Sequence, residues 1–140
     1  MTTEQSCVFC RIVRGEIPSY TVYQDSVTLA FLDINPVARG HTLVIPRKHV
    51  PDVYALDDET ANAVMHSTVR VAKLLRKALA QPGLTVLERN GRAAGQTIEH
   101  FHFNLVPRAV ADSVDLTTEG HRGSASDLEA VSAKLRAAAG

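Results

Sequence analysis

The chain has 140 residues and a mass of 15.2 kDa, the size of one domain, and we take residues 1–140 as a single domain. Its 15 basic and 15 acidic residues give a net charge of zero, which argues against a protein dedicated to binding duplex DNA. The sequence has no apolar run of the about 20 residues that cross a membrane, no secretion signal and only two cysteines. We therefore expect a cytoplasmic protein without a nucleic-acid or membrane partner.

A short helix and three strands are predicted in the first half of the chain. Residues 1–6 are polar and are expected to be flexible, and the apolar spacing of Cys7–Ile17 predicts a helix that ends near Gly15. Runs of β-forming residues between turn signals predict three strands, which are Thr21–Gln24, Thr28–Ile34 and His41–Pro46. Pro51–Leu56 is either a loop or a single helical turn.

One long helix and two further strands are predicted next. Asp57 or Asp58 caps a helix over Thr60–Ala80. One stripe of this helix is apolar, and it consists of Val64, Thr68, Val71, Leu75 and Leu79. Leu84–Arg89 and Thr97–Val106 have the composition of strands.

Residues 109–140 are predicted as a C-terminal extension that ends in a helix over Ser126–Ala139. Ser126 would be its N-cap, with Glu129 as the capping-box partner three residues later. Strands that follow one another through short turns favour antiparallel pairing. We therefore predict an α+β fold in which helices pack on an antiparallel sheet.

The segment T-I-E-H-F-H-F-N-L-V, residues 97–106, has the composition of a reactive site. Alternate side chains of a strand share a face, so His100, His102 and Asn104 would point one way at spacings of about 7 Å. Imidazole and amide groups donate N–H bonds to phosphoryl oxygens, and imidazole is a nucleophile near neutral pH. This pattern predicts a phosphate site, with a solvated sheet face carrying incidental histidines as the alternative.

Four sequence blocks resemble the histidine triad (HIT) superfamily of nucleotide hydrolases and transferases. They are G-Q-T-I-E-H-F-H-F-N-L-V, G-H-T-L-V-I-P-R-K-H, C-V-F-C-R-I-V-R-G-E-I-P and A-F-L-D-I-N-P. The chain is most similar to the histidine triad nucleotide-binding proteins, which are small purine-nucleotide phosphoramidases. The resemblance, which runs from Cys7 to Arg108, implies an antiparallel sheet of about five strands with one long helix, and a homodimer.

The same resemblance implies the catalytic residues. His102 would attack the α-phosphate of a nucleoside phosphoramidate or a related purine nucleotide conjugate, and water would then hydrolyse the nucleotidyl-histidine. His100 would be the first histidine of the motif. His41 matches a further histidine that orients the triad, with a plain hydrogen-bonded strand histidine as the alternative. His66 and His121 match no position of the family, and we interpret both as incidental.

Asn104 departs from the family, which has a third histidine at this place. An amide donates N–H bonds to phosphate, but it carries no positive charge and transfers no proton. The hydrolase would then have reduced turnover. The alternatives are a nucleotidyltransferase or dinucleoside polyphosphate phosphorylase-like enzyme, since related transferases have an amide there, and a weakened nucleotide-binding module. Asn104 is either natural to the chain or a substitution that slows the enzyme.

The nucleotide site is completed by resemblance. Asp33 would accept hydrogen bonds from the ribose hydroxyls. Four residues are similar to the apolar wall around the purine, with a plain core role as the alternative, and they are Phe9, Ile12, Phe31 and Leu43. The residues that resemble the α-phosphate loop are Asn90, Gly95, Gln96 and Thr97. Gly95 would let the backbone approach the phosphate, and Asn90 with Gly91 is also a turn signal.

Cys7 and Cys10 form a C-x-x-C motif near the start of the chain. The motif alone fits two buried thiols, a redox pair or half of a zinc site. Some bacterial members of the similar family complete it with two histidines, and the matching positions here are His49 and His100. The resemblance therefore implies a structural Zn²⁺ held by Cys7, Cys10, His49 and His100, which would leave His102 for chemistry.

Overall fold

A five-stranded antiparallel sheet forms the centre of the computed structural model, which describes residues 3–140. The strands are β1 (Thr21–Gln24), β2 (Thr28–Leu32), β3 (Thr42–Pro46), β4 (Gly83–Leu87) and β5 (Phe103–Arg108). They pair in the order β1-β2-β3-β5-β4, and every pairing is antiparallel. The predicted α+β class and its five antiparallel strands are therefore confirmed.

Within residues 3–140, four helices and two 3₁₀ turns connect and cover the sheet. The helices are α1 (Thr3–Ser6), α2 (Val8–Val13), α3 (Asp58–Leu79) and α4 (Ala125–Ala139). The 3₁₀ turns are Val53–Ala55, inside the segment predicted as a loop or single turn, and Arg92–Ala94. Helix α1 lies in the segment 1–6 that we predicted as flexible, and residues 1 and 2 of that segment lie outside the described residues.

Helices cover both faces of the sheet, which explains why β2 and β3 are buried along their whole length. On one face α3 and α4 pack through an apolar stripe that includes Val64, Val71 and Leu135. On the other face a second cluster joins α2 to the sheet, and its buried members are Phe9, Leu29, Phe31, Leu43 and Ile45. This second cluster positions the C-x-x-C motif beside the end of β3.

Strand β5 begins six residues later than predicted, at Phe103 rather than Thr97. The preceding residues do not bond to a neighbouring strand. The Phe101 N–H donates to the Val50 carbonyl of another loop at 2.6 Å, and the His100 N–H donates to the Ile98 carbonyl of its own segment at 2.9 Å. Phe101 nevertheless lies in the core, as predicted, because it fills the space beneath α3. His100 and His102 therefore do not lie on a regular strand.

The N-cap of α4 is Ser124, not Ser126 as predicted. The Ser124 hydroxyl accepts a bond from the Asp127 N–H at 3.1 Å, and Asp127 also places an acidic side chain in the first turn. Glu129, the predicted capping partner, instead pairs with Arg136 at 3.4 Å. Two serines two residues apart offer similar caps, and spacing alone did not distinguish them.

The turn between β1 and β2 is fastened to α3 by Asp25. Its carboxylate accepts the N–H groups of Val27 and Thr28 at 2.9 and 2.8 Å, and the Ser67 hydroxyl of α3 at 3.1 Å. Burial on its own would raise the pKa of Asp25, but these bonds, with those from Thr28 and Tyr23 side chains, outweigh it and lower the pKa to about 2. The ionised form therefore stabilises the fold.

Asp25→Asn is expected to lower the free energy of unfolding at pH 7 by about 1–2 kcal/mol, because it removes a carboxylate that the folded state favours. In the parent protein this contribution is present above pH 3.8 and is lost as the pH falls toward 2. Urea unfolding at several pH values measures it. Exposed Glu99→Gln is the control, and an equal, small loss for both variants would show that Asp25 does not anchor the turn.

Candidate active site

A cavity of about 240 Å³ opens where β4 ends and β5 begins, beside the loop after β2. Its lining includes four of the residues predicted from sequence around the reactive centre: Asp33, His41, His102 and Asn104. The structure therefore brings together side chains that are up to 71 positions apart in the chain. His102 directly precedes β5 and Asn104 lies near its start, while Asp33 and His41 flank the loop between β2 and β3.

The His102 ring is held with one nitrogen available for attack. Its Nδ1–H donates to the His100 carbonyl at 2.7 Å, which leaves Nε2 with a lone pair. The Phe9 ring packs against the imidazole in a T-shaped contact, with the two ring centroids 5.2 Å apart. Burial, with a smaller contribution from the nearby Arg89, lowers the pKa of His102. A neutral imidazole with a free Nε2 is the form that acts as a nucleophile.

His41 and Asn104 are joined by a hydrogen bond that fixes both groups. The Val37 N–H donates to His41 Nδ1 at 3.2 Å, so the ring carries its proton on Nε2. That Nε2–H donates to Asn104 Oδ1 at 2.9 Å. Asp33 Oδ2 lies 3.8 Å from the same Nε2. The oxygen of the Asn104 amide is thus used inside the protein, and its NH₂ group is the part left to donate to a ligand.

His100 does not join this group, although strand alternation predicted that it would share a face with His102 and Asn104. It is fully buried, and its Nε2–H donates to the Pro46 carbonyl at 2.8 Å. Its Nδ1 points at the cysteines, 3.4 Å from Cys7 Sγ and 3.5 Å from Cys10 Sγ. The irregular backbone before β5 causes this divergence of the two imidazoles.

The predicted phosphate loop divides into residues that line the cavity and one that supports it. Gly95, Gln96 and Thr97 line the cavity, and Gly95 has a φ of +90°, a conformation that glycine adopts without strain. Gln96 is also a brace, since its side chain bonds the Gly91 N–H and the Pro51 carbonyl, each at 2.7 Å. Asn90 accepts the Val53 N–H at 2.8 Å and lies behind the loop, outside the described lining.

The four residues predicted as a purine wall lie in the second apolar cluster. Phe9, Phe31 and Leu43 are buried there, and Ile12 packs against them. None of the four is among the described residues that line the cavity. The cluster reaches the cavity through Ile98, which belongs to both. Sequence reasoning missed Ile98 and the other apolar lining residues, which are Val37, Leu87, Val106 and Leu116.

One wall of the cavity comes from the segment of residues 116–120 in the C-terminal extension, which we did not predict. Arg89 donates to the Leu116 carbonyl, and the Gly123 N–H donates to the Ile34 carbonyl at 2.8 Å. Gly120 lies against the backbone of Pro36 so closely that a Cβ there would overlap the Pro36 carbonyl. In the sequence this wall was indicated by nothing more than Gly120, which lies in a segment without apolar periodicity.

Gly120→Ala is expected to weaken binding of adenosine monophosphate, a ligand of the class implied in the sequence analysis, about tenfold, because the side chain lifts residues 116–120 from the loop beside Pro36. Calorimetric titration measures the change. Gly15→Ala is the control for a glycine replacement without a collision, since an added Cβ at Gly15 has no atom within 4 Å. Equal affinities for the two variants would show that this segment does not contribute to ligand binding in the cavity.

The two cysteines and two histidines of the predicted metal site lie together. Cys10 Sγ is 3.2 Å from His49 Nδ1, and the four candidate ligand atoms of Cys7, Cys10, His49 and His100 all lie within 4.8 Å of one another. A tetrahedral zinc with two sulfur and two nitrogen ligands has edges of about 3.3–3.8 Å. The donor set therefore fits Zn²⁺, and the bond from His100 Nε2 to Pro46 directs the Nδ1 lone pair to the metal position.

Both cysteines are free thiols. Burial, and after it the neighbouring Cys7, raises the pKa of the Cys10 thiol to about 12. A bound cation reverses this preference, because zinc binds thiolate. The environment therefore disfavours an isolated reactive thiolate, and the arrangement fits a closed structural metal site better than a redox pair.

Comparison with known proteins identifies similar chains. The model of the HIT domain matches residues 14–110. "Protein hit" of Bacillus subtilis is 44% identical over 108 residues, which are 77% of this chain and 74% of that protein. Adenosine 5'-monophosphoramidase hnt1 of Schizosaccharomyces pombe is 39% identical over 103 residues, 74% of each chain. Adenylylsulfatase HINT3 of Arabidopsis thaliana is 36% identical over 79% of this chain and 56% of its own.

Solved structures show the same fold. A HIT-like protein of Bartonella henselae superposes with a TM-score of 0.89 at 36% identity, covering 96% of both chains. A zinc-bound histidine triad family protein of Mycobacterium smegmatis has a TM-score of 0.86 and 38% identity, covering 96% of this chain and 94% of its own.

Among residues 3–140, no helix combines the length and apolar character needed to cross a membrane.

Proposed function

The chain belongs to the HIT family, and on that premise we propose that it is a hydrolase that cleaves purine nucleotide conjugates at the α-phosphate. The observation that carries the proposal is His102, whose ring presents a free Nε2 to a cavity lined by donors and by Asp33. The relatives named for adenosine monophosphoramidate and adenylyl sulfate support the substrate class, because both names describe adenylyl groups with different leaving groups.

The reaction would proceed in two displacements. The His102 Nε2 lone pair attacks the α-phosphorus, and the bond from phosphorus to the leaving group breaks with its electron pair on the leaving group. Water then attacks the nucleotidyl-histidine, gives up a proton to solvent and returns the lone pair to Nε2. The Asn104 amide and the backbone around Gly95 would stabilise the charge on the phosphoryl oxygens, and Asp33 would accept bonds from the ribose.

The other predicted site residues would position the reacting groups or bind the base. His41 holds Asn104 in place through the 2.9 Å bond, so it would position rather than attack. Purine selectivity would come from the second apolar cluster, in which Ile98 reaches the cavity and Phe9, Ile12, Phe31 and Leu43 lie behind it. Asn90 would act by supporting the loop that holds Gly95, Gln96 and Thr97.

We also propose a structural zinc, a homodimer and a cytoplasmic location. Cys7, Cys10, His49 and His100 would hold the metal, which would fix α2 against the loop that carries His102. Strand β4 is an edge of the sheet with Leu84 and Val86 exposed, and such an edge fits a second copy of the chain. The two free thiols beside imidazoles suit a reducing compartment.

Asn104 favours one alternative specifically, a nucleotidyltransferase in which phosphate replaces water. An amide transfers no proton, so the second step would depend on the acceptor itself. Reaction with a dinucleoside tetraphosphate and inorganic phosphate separates the two. A transferase releases nucleoside diphosphate and triphosphate, and a hydrolase releases nucleoside monophosphate and triphosphate. A weakened binding module would bind the monophosphate without turnover, and Asn104→His would restore activity.

The proposed activity is tested by incubating the full chain with adenosine phosphoramidate and with adenylyl sulfate and measuring release of adenosine monophosphate. We expect release from at least one conjugate, in proportion to the amount of enzyme. Binding of the monophosphate without release from either conjugate would contradict the proposed hydrolase.

A further inference from the structure

Arg89 places a positive charge in the same cavity as His102 and Asn104. Its stem passes over Gly95, where an added Cβ would come within 3.1 Å of Arg89 Cδ, and its guanidinium donates to the Leu116 carbonyl. The side chain therefore lies between the phosphate loop and the segment of residues 116–120. A guanidinium stays protonated and has five N–H donors, so one bond to Leu116 leaves most of them for an anion.

Hydrogen bonds within the protein engage the ring N–H groups of both histidines that line the cavity. The charged and titratable side chains that line it are Asp33, His41, Arg89, His102 and Glu119. The His102 Nδ1–H donates to the His100 carbonyl, and the His41 Nε2–H donates to Asn104 Oδ1. Carboxylates only accept hydrogen bonds, and the Asn104 amide donates without releasing a proton.

A cavity with a guanidinium and with both ring N–H groups already hydrogen-bonded favours leaving groups that need no proton. A sulfate, phosphate or carboxylate takes the electron pair of the broken bond and departs as a stable anion that needs no proton. An amine must receive a proton as its bond to phosphorus breaks, because the amide anion is strongly basic. General acid catalysis supplies such a proton in enzymes and contributes about 10²- to 10⁴-fold.

We propose that Arg89 binds the phosphoryl group and an anionic leaving group in this cavity, and that the pair of Arg89 and Asn104 selects nucleotides joined to sulfate, phosphate or carboxylate over those joined to an amine. The inference rests on the proposed function and deepens it, since it concerns the same displacement by His102. The guanidinium provides the charge that a third histidine would have shared, and it provides no proton.

The test compares kcat/KM for adenylyl sulfate and for adenosine phosphoramidate in matched variants. Arg89→Gln is expected to lower the sulfate-to-phosphoramidate ratio by about tenfold or more, the size of one lost charge-assisted bond. Arg89→Lys keeps the charge and should retain most of the ratio. Arg92→Gln, an exposed cation of the same loop outside the cavity lining, should leave the ratio unchanged.

Asn104→His tests the same selectivity by adding a proton donor to the cavity. It adds a protonatable group, so phosphoramidate cleavage should rise about tenfold or more while sulfate cleavage changes less. A structural role of Arg89 would lower both reactions equally and leave the ratio unchanged, which would overturn the inference while both conjugates are still cleaved. Absence of cleavage of either conjugate by the parent chain would instead overturn the proposed function.

Discussion

Replacing His102 with alanine is expected to lower kcat for nucleotide conjugates by about 10⁴-fold or more, since the reaction loses its nucleophile. The ring presents a free Nε2 because its Nδ1–H is held by the His100 carbonyl at 2.7 Å. The methyl group of alanine offers no lone pair, and water alone has to attack a phosphorus that carries negative oxygens. Steady-state release of adenosine monophosphate measures the loss.

The variant should still bind adenosine monophosphate, because Asp33, Asn104 and the loop at Gly95 remain in place. His66→Ala is the matched control: His66 is an exposed histidine of α3 whose Nε2 accepts a bond from Arg70 at 2.9 Å. Its turnover should equal that of the parent chain. Equal turnover of the His102→Ala and parent proteins would eliminate the nucleotidyl-histidine mechanism.

Loss of the proposed zinc has the second largest expected effect, on stability rather than on chemistry. Cys10→Ser should lower the free energy of unfolding by about 4 kcal/mol or more, the stabilisation from a ligand at about 1,000 times its Kd. For a chain of this size the melting temperature falls by about 10 °C or more. The fall is expected because the four ligand atoms lie within 4.8 Å and tie α2 to the loops after β3 and before β5.

Metal analysis and thermal melts with and without a chelator check this prediction. The parent chain should carry one zinc and melt lower after chelation, whereas Cys10→Ser should carry none and should not respond to the chelator. His121→Ala, in the C-terminal extension, is the control and should retain the metal. A metal-free parent chain whose melting temperature ignores the chelator would favour two buried thiols.

Local patterns predicted the elements whose ends depend on nearby residues. Strand β1 has the predicted bounds, Thr21–Gln24, because a turn with an Asp25 side chain closes it. The start of β5 was wrong because the Phe101 N–H bonds to Val50, which is distant in sequence, and no periodicity records that contact. The same contact interrupts the regular strand before β5. Strand alternation therefore wrongly predicted that His100 shares a face with His102, whereas His100 faces the cysteines in the structure.

The chemistry-bearing residues were easier to find than the walls of their cavity. Histidine and cysteine are scarce and carry recognisable spacing, so the sequence itself indicated His102 and the Cys7–Cys10 motif. Asp33 and the histidine ligands of the metal group were implied only by the resemblance to the family. Arg89 and residues 116–120 have ordinary composition, and only the fold brings them to His102. The role proposed for Arg89 concerns which leaving group is accepted, which is the part of function that sequence patterns describe least.

The covalent adduct on His102 tests the central claim most directly. The reaction with an adenylyl conjugate would be stopped within a turnover in alkali, because acid cleaves the phosphorus–nitrogen bond of a histidine adduct, and the peptides would be weighed by mass spectrometry. The account predicts an added adenylyl group on the peptide that contains His102, and on that residue. Continued turnover with no adduct, or with the adduct on another residue, would contradict it.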